Sequence, residues 1–219
     1  MKKIFAFVAV AVAFVGVANA QLGINFGYAP QTYTTTYTSG SNSTTSSTKM
    51  TGLFLGVNYN QALTGGLNVS VGLQGRYNSS ADTVAANVGN IVGGSVENKH
   101  SQLLIDVPVL FNYGFNLGGA AKLSIFAGPT ISYALTGKTK TITTVTVLGN
   151  NSTNEGESDW YGDNSNRKQL DVSATFGAVF SYNQFRLFGG YNMGLLNLTS
   201  ADNTTLKASN IFVGLGYAL

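Results

Sequence analysis

The chain has 219 residues, of which only 10% are charged, and it contains no cysteine and a single histidine. These counts exclude a disulfide framework, a thiolate nucleophile and any site built from several imidazoles. Lys2 and Lys3 contribute to the formal net charge of +3, and without them 10 basic residues face 9 acidic ones. This near-neutral balance excludes nucleic acid as a partner.

The amino terminus has the pattern of an export signal. The two basic residues precede an almost unbroken apolar stretch, residues 4–17, and small residues at positions 18 and 20 complete a cleavage site. The stretch is shorter than the ~20 residues that a membrane-spanning helix needs. We therefore predict a signal peptide over residues 1–20, and one domain over residues 21–219.

The rest of the chain repeats short runs in which every second side chain is apolar. This period of two predicts β-strands with unlike faces. The last run has apolar residues at 211, 213, 215, 217 and 219, so it ends on the final residue. Eight strands are predicted, approximately over residues 22–34, 50–59, 67–77, 102–113, 123–135, 170–182, 185–195 and 211–219.

The predicted connections alternate in length. Three short turns are expected at residues 60–66, 116–120 and 183–184. Four long polar loops are expected at residues 35–49, 78–99, 137–168 and 199–207. Short periplasmic turns and long extracellular loops are typical of outer-membrane barrels, which also require an even number of strands.

The composition of the two faces distinguishes a membrane barrel from soluble β-sandwiches and lipocalin-like barrels, which also alternate. A soluble barrel needs charged residues outside, whereas here the non-apolar face carries mainly Gly, Ser, Asn and Thr. Tyrosines near the strand ends suit an aromatic girdle. They are Tyr59, Tyr77, Tyr113, Tyr133, Tyr182 and Tyr217. We predict an all-β fold, an eight-stranded antiparallel up-and-down transmembrane β-barrel in the cell outer membrane.

Several segments resemble a known family. They are LLIDVPVLFNYGF, FAGPTISYALTG, LDVSATFGAVFSYNQFRLFGGYNMGLLNL and NIFVGLGYAL. These segments resemble the small outer-membrane β-barrel proteins of Bacteroidetes, the PorT-like group, whose architecture is similar to that of the OmpA and OmpX barrels. The resemblance implies fold and location, and none of its motifs is catalytic. The chain departs from such barrels at Leu219, where a terminal Phe is usual.

Four charged residues are predicted to face the lumen. Arg76 and Asp106 occupy similar heights on adjacent strands, so we expect them to interact, since an unpaired charge in a narrow barrel is costly. Asp171 is expected to join them, and Arg186 to lie near a periplasmic turn. The charges fit either a polar filling or a plugged or gated lumen, because eight strands leave room only for side chains. Lumenal glycines are expected to let Phe54, Phe126, Phe188 and Phe212 pack across the interior.

Chemically active groups are few. His100 beside Ser101 would allow a lipid-modifying or proteolytic site, but a solvated histidine at the rim is the more ordinary interpretation. Carboxylates in the third loop could hold calcium, but they lack the spacing of a known calcium loop. They are Glu155, Glu157, Asp159 and Asp163. Trp160 and Tyr161 lie among them, and these two aromatic residues are expected either to form an exposed contact site at the loop tip or to fold back onto the loop. We predict no catalytic, cofactor-binding or metal-binding residue and no cofactor.

The sequence favours a non-enzymatic outer-membrane barrel whose four long extracellular loops serve a structural role, adhesion or partner binding. The alternative is a narrow channel or a component that assists secretion, as the PorT-like resemblance implies. The expected partners are outer-membrane lipid and, through the loops, an extracellular ligand or other envelope proteins. We expect a monomer that does not bind nucleic acid.

Overall fold

The computed structural model describes residues 20–88, 92–147, 150–162 and 165–219, so most of the predicted signal peptide and Asp163 lie outside it. No helix in these ranges is long and apolar enough to cross a membrane. The strands are β1 (Ala20–Tyr28), β2 (Gln31–Ser39), β3 (Asn42–Ala62), β4 (Leu67–Val88), β5 (Val92–Gly118), β6 (Ala121–Val147), β7 (Asn150–Asp159), β8 (Leu170–Tyr182), β9 (Phe185–Gly194) and β10 (Thr204–Ala218).

The strands close into a ring with eight positions. Strands β1 and β2 lie end to end and both pair with β3 on one side and β10 on the other, so they share one position. Pro30 separates them, and it has no N–H to donate to a ladder. Strand β7 pairs with β6 alone, and the other strands follow in order around the ring. All pairings are antiparallel, which confirms the eight-stranded antiparallel barrel.

The apolar face of the strands points away from the lumen. Leu53 and Leu55 are 65% and 63% exposed, whereas Phe54 between them is 6% exposed. The same alternation runs round the barrel and produces a continuous outer apolar belt. Tyrosines border it, and the hydroxyls of Tyr133 and Tyr217 donate hydrogen bonds to glutamines. The predicted faces and the aromatic girdle are confirmed.

The two ends of the barrel differ. At the turn end, tight connections join β3 to β4, β5 to β6 and β8 to β9, as predicted. At the hairpin end, three of the four predicted loops are instead continuations of strands. β2 and β3 form a hairpin closed at Gly40 and Ser41, and β4–β5 and β6–β7 extend likewise. The reason is composition, since runs of Thr and Val favour extended backbone even where no core covers them.

Strands β4, β5, β6 and β7 continue beyond the apolar belt as a projecting sheet, formed by residues 80–88, 92–101, 138–147 and 150–159. One row across it joins Val84, Val96, Thr143 and Asn154. The outer face carries the charges of β5, β6 and β7, whereas the inner face carries mainly Ser, Thr, Asn and Val. The charged residues are Glu97, Lys99, Lys138, Lys140, Glu155, Glu157 and Asp159.

Phenylalanines cross the lumen over glycines of neighbouring strands. A Cβ atom on Gly177 would lie 2.5 Å from Cζ of Phe126, and one on Gly214 would lie 2.6 Å from Cζ of Phe188. Gly27 stands in the same relation to Phe54, and Gly190 to Phe212. The four rings form a chain with centroid separations of 6.1 to 6.4 Å. This confirms the predicted role of the lumenal glycines.

Candidate functional site

A buried ion pair between the adjacent strands β4 and β5 lies in the lumen at the height of the upper belt. Arg76 Nε donates to Asp106 Oδ2 at 2.8 Å, and Arg76 Nη2 donates to Asp106 Oδ1 at 3.1 Å. Both residues are 4% exposed, and Arg76 Nη1 donates to Gln31 Oε1. A two-point contact between guanidinium and carboxylate fixes both side chains. The interaction predicted from sequence is confirmed.

The other two lumenal charges behave differently. No hydrogen bond or ion pair joins Asp171 to Arg76 among the described residues, and Oδ1 of Asp171 is buried without a partner. Asp171 therefore interacts with Arg76 through longer-range electrostatic attraction rather than through a hydrogen bond. Arg186 lies near the turn end, as predicted, where Nη2 donates to Gln21 Oε1 at 2.7 Å.

A second polar layer lies above the ion pair. The hydroxyl of Tyr33 donates to Gln102 Oε1 at 2.5 Å, and Gln102 Nε2 donates to the hydroxyl oxygen of Tyr161 at 2.6 Å. Gln102 is 2% exposed, so its amide is used entirely within the protein. Burial raises the pKa of Tyr161 to about 12, because the phenolate would lose its hydration.

Three residues that follow β7 close the hairpin end, and we call them the mouth plug: Trp160, Tyr161 and Arg167. The Arg167 guanidinium lies between two rings, 4.3 Å from the centroid of Tyr33 and 4.0 Å from that of Trp160. Trp160 Nε1 donates to Thr139 Oγ1 at 2.7 Å. These contacts show that the aromatic residues of the third predicted loop form neither a free tip nor a fold confined to the loop.

A small apolar core supports the mouth plug from one side of the barrel. Tyr33, Met50, Leu198 and Ala208 are buried together, and Trp160 packs against them. The Trp160 ring also meets Tyr33 edge-on, with centroids 6.2 Å apart. Aromatic edges and cation–π contacts add to the apolar burial, so the mouth plug is held from several strands at once.

A cavity of about 320 Å³ occupies the lumen below the ion pair. It reaches from Gln21, Lys122 and Arg186 at the turn end to Arg76 and Asp106. No residue of the mouth plug lines it. The cavity therefore ends at the height of the Arg76–Asp106 pair, below the mouth plug.

The structure also separates the residues that could have formed a hydrolytic site. His100 faces the lumen, where Nδ1 shares a hydrogen bond with Thr139 Oγ1 at 2.9 Å and its ring lies 5.8 Å from Trp160. Ser101 points to the opposite face, because neighbouring residues of a strand alternate. Ser80 pairs with His100 across the ladder, but its hydroxyl is buried without a hydrogen-bond partner. No serine–histidine hydrogen bond exists among these described groups.

The acidic residues of the third predicted loop are engaged by lysines. Lys138 Nζ lies 2.5 Å from Glu157 Oε1, and Lys140 Nζ lies 2.7 Å from Glu155 Oε2. A hydrogen bond from Lys138 lowers the pKa of Glu157, and the same bond raises the pKa of Lys138. Within the described ranges, no group of three or more histidine or acidic side chains is placed to hold a metal ion.

The family of the chain follows from comparison with known proteins. A family model described as "Outer membrane protein beta-barrel domain" matches residues 14–200. The chain belongs to this outer-membrane β-barrel family. The barrel therefore lies in the cell outer membrane, with its apolar belt in the lipid.

Solved structures of other outer-membrane proteins are similar to this barrel. Ail, the attachment invasion locus protein of Yersinia pestis, is 14% identical, covers 92% of this chain and 99% of its own, and gives a TM-score of 0.35. Neisserial surface protein A is 11% identical, and the match covers 88% of this chain and 96% of that protein's chain with a TM-score of 0.35. The protease OmpT from Escherichia coli is 10% identical, and the match covers 92% of this chain and 97% of that protein's chain with a TM-score of 0.36. Among curated proteins, none matches the sequence.

Sequence reasoning singled out Trp160 and Tyr161 but missed Arg167 and the residues that contact the mouth plug in this outer-membrane barrel. Tyr33 and Gln102 could have been identified from the sequence, because each is a large polar side chain at an inward position of its strand and therefore needs a hydrogen-bond partner in the lumen. Arg167 could not, since its contacts with Tyr33 and Trp160 join residues far apart in the chain. Only the folded ring brings these residues together.

Proposed function

We propose that this outer-membrane barrel is a non-enzymatic display protein, whose projecting sheet binds a partner outside the cell. The observation that carries the proposal is the combination of a lumen closed by the mouth plug with a sheet that extends beyond the membrane. In this orientation the hairpin end faces outward and the turn end faces the periplasm, as is usual for such barrels.

The closed lumen argues against transport as the main role. A solute entering from the hairpin end would meet first the stacked Trp160 and Arg167, and then the Arg76–Asp106 pair. Opening this path would break a buried ion pair, which costs several kcal/mol. The barrel is better suited to be a rigid base for the structures above it.

The projecting sheet has the properties of a binding surface. Its backbone is held by ladders of β4 with β5, β5 with β6, and β6 with β7, so binding would order few residues. One edge of β7 is unpaired, and an unpaired strand edge can accept a further strand from another chain. Hydroxyl and amide groups on the inner face offer donors and acceptors, and Asp82 adds one carboxylate there.

The remaining features belong to the same proposal. The chain would be a monomeric member of the PorT-like group, exported by cleavage of residues 1–20, with no catalytic site and no cofactor. The positions of His100 and Ser101 on opposite faces support the absence of hydrolysis. The pairing of Glu155 and Glu157 with lysines supports a structural role for these carboxylates.

A second role, as a component that assists other envelope proteins, is favoured by one observation. The lumenal cavity of about 320 Å³ reaches the turn end, where Lys122 and Arg186 line it. A periplasmic segment of a partner could enter there without passing through the barrel. Cross-linking from a photoreactive residue at Lys122 would capture such a partner, whereas a display protein would give no specific product.

The display role can be tested by trimming the hairpin β6–β7. In the variant, residues 141–156 are replaced by a short turn, which leaves Lys138 and its partner Asp159 in place. Cells displaying the full chain should adhere to immobilised matrix proteins or glycans, and cells displaying the variant should lose this adhesion. Trimming residues 36–45 of β2–β3 is the control, since it shortens a hairpin outside the projecting sheet. Equal adhesion by the full chain and the β6–β7 variant would contradict the proposal.

A further inference from the structure

Lysines form a collar just beyond the apolar belt at the hairpin end. Lys49, Lys99 and Lys207 each lie four residues along their strand from the last exposed apolar residue of the belt, which is Leu53, Leu103 or Ile211. On β6, Lys138 follows the exposed Leu135, and Lys168 precedes the exposed Leu170 of β8, both at similar heights. We call these five residues the lysine collar: Lys49, Lys99, Lys138, Lys168 and Lys207.

The collar has two chemically different sides. Lys99 and Lys138 have carboxylate partners, since Lys99 lies 3.2 Å from Glu97 and Lys138 lies 2.5 Å from Glu157. Lys49, Lys168 and Lys207 are exposed and have no carboxylate within ion-pair distance among the described residues. Lys168 stands alone before β8, whereas Lys49 and Lys207 lie on the two strands that pair with β2.

Lys49 and Lys207 flank strand β2. Thr32 pairs with Lys49 on β3, and Thr34 pairs with Lys207 on β10, so the four side chains share one outer face. A groove of about 400 Å³ runs beside Lys207. Thr34, Thr36 and Thr205 line its upper part. Ser209 and Met193 share a row below Lys207, and Tyr191 lies lowest.

We propose that this surface, formed by Lys49, Lys207 and the β2 threonines, binds the phosphate groups of a glycolipid in the outer leaflet. The ammonium groups and hydroxyls would contact the phosphates, and Tyr191 and Met193 below them would meet the acyl chains. The height of the surface, directly above the apolar belt, selects a lipid headgroup over a soluble anion. This inference rests on the proposed orientation, in which the hairpin end faces outward.

The test measures how much phosphorylated lipid the protein retains. The mature chain is folded in bilayer discs containing lipid A with both phosphates, extracted in mild detergent, and analysed by native mass spectrometry. A lysine near a charged membrane surface contributes ~1 kcal/mol, so Lys49→Gln with Lys207→Gln should lower lipid binding about 30-fold. The matched control is Lys99→Gln with Lys138→Gln, which removes two lysines of the collar that already have partners and should change lipid binding little.

Three results would overturn the assignment. Equal losses in the two double variants would show that collar lysines act only through net charge. Equal retention of lipid A without phosphates would remove the phosphate contact. A stabilisation of the protein by inorganic phosphate as large as that by lipid A would identify a site for a soluble anion. Protease cleavage of the projecting sheet in intact cells tests the orientation separately, so failure of the orientation and failure of the lipid site are distinguishable.

Discussion

At the scale of single residues, Asp106 determines whether the lumen can hold Arg76. Replacing Asp106 with Ala leaves a buried guanidinium with only the Gln31 oxygen as a partner. Removing one member of a buried pair typically costs about 3–5 kcal/mol, so the unfolding midpoint in urea should fall markedly. The measurement follows the folded and unfolded bands of unboiled protein on a detergent gel.

The double variant Arg76→Gln with Asp106→Asn provides the control for this prediction. It keeps the approximate shape of both side chains and removes both charges, so it should destabilise the barrel less than Asp106→Ala does. An unchanged midpoint for Asp106→Ala would show that the pair does not contribute to stability.

Tyr161 gives the mouth plug a pH dependence at high pH. Its pKa is raised from an ordinary value of 10 to about 12 by burial. The stabilising effect of the neutral phenol is therefore fully present below pH 10 and is lost as the pH rises through the interval from 10 to 12. The phenolate absorbance of the folded protein should contain a late step near the upper end of this interval.

The variant Tyr161→Phe isolates this step. It removes the ionising hydroxyl and leaves the ring that lies above Gln102. We expect the late step to lose the amplitude of one tyrosine, while Tyr33, whose pKa is also raised by burial, keeps its own late ionisation. A loss of amplitude near pH 10 instead would mean that Tyr161 is exposed to solvent and that the second polar layer is open.

At the scale of strands, glycines set how closely neighbouring elements approach within the lumen. Replacing Gly177 with Ala would place a methyl group 2.5 Å from Cζ of Phe126 and 2.2 Å from the carbonyl oxygen of Gly189. Such overpacking costs about 1–3 kcal/mol, because either the ring or the β8–β9 ladder must move. Gly156→Ala is the matched control, since nothing lies within 4 Å of its Cβ position. Equal urea midpoints for the two variants would contradict the tight packing.

The strands also show which features follow from local sequence. The ring positions and faces could be predicted, because alternation needs only residues adjacent along one strand. The lengths of β2–β3, β4–β5 and β6–β7 could not be predicted from alternation, since beyond the belt both faces are polar. There the Thr-rich segments continue the ladders through strand propensity and pairing, which a hydrophobic pattern does not record.

At the scale of the whole molecule, contacts between neighbouring strands could be predicted from the sequence, whereas contacts between segments that meet only in the closed ring could not. Arg76 and Asp106 could be paired because they lie on adjacent strands at similar heights. The mouth plug could not be predicted, because Arg167 meets Tyr33 only after the ring has closed. For the same reason the sequence leaves a plugged lumen as one of two interpretations, whereas the fold places the Arg76–Asp106 pair and the mouth plug one above the other within it.

These two layers determine the expected electrical behaviour of the barrel. The mature protein in planar bilayers should show no stepwise conductance. Replacing Trp160, Tyr161 and Arg167 with Ala removes the mouth plug, but this variant should also stay closed, because below it Arg76 remains bonded to Asp106 on β5 and to Gln31 on β2. Adding Arg76→Ser and Asp106→Ser replaces the pair with short neutral side chains and should allow small ions to pass.

The comparison among these proteins separates the contributions of the layers. Gel mobility before boiling must first show that each variant is folded, since an unfolded chain would also fail to conduct. Conductance by the mature protein would mean that neither layer seals the lumen. Conductance by the variant lacking only the mouth plug would assign the seal to the mouth plug alone, and the ion pair would then be a stabilising element beside an open path.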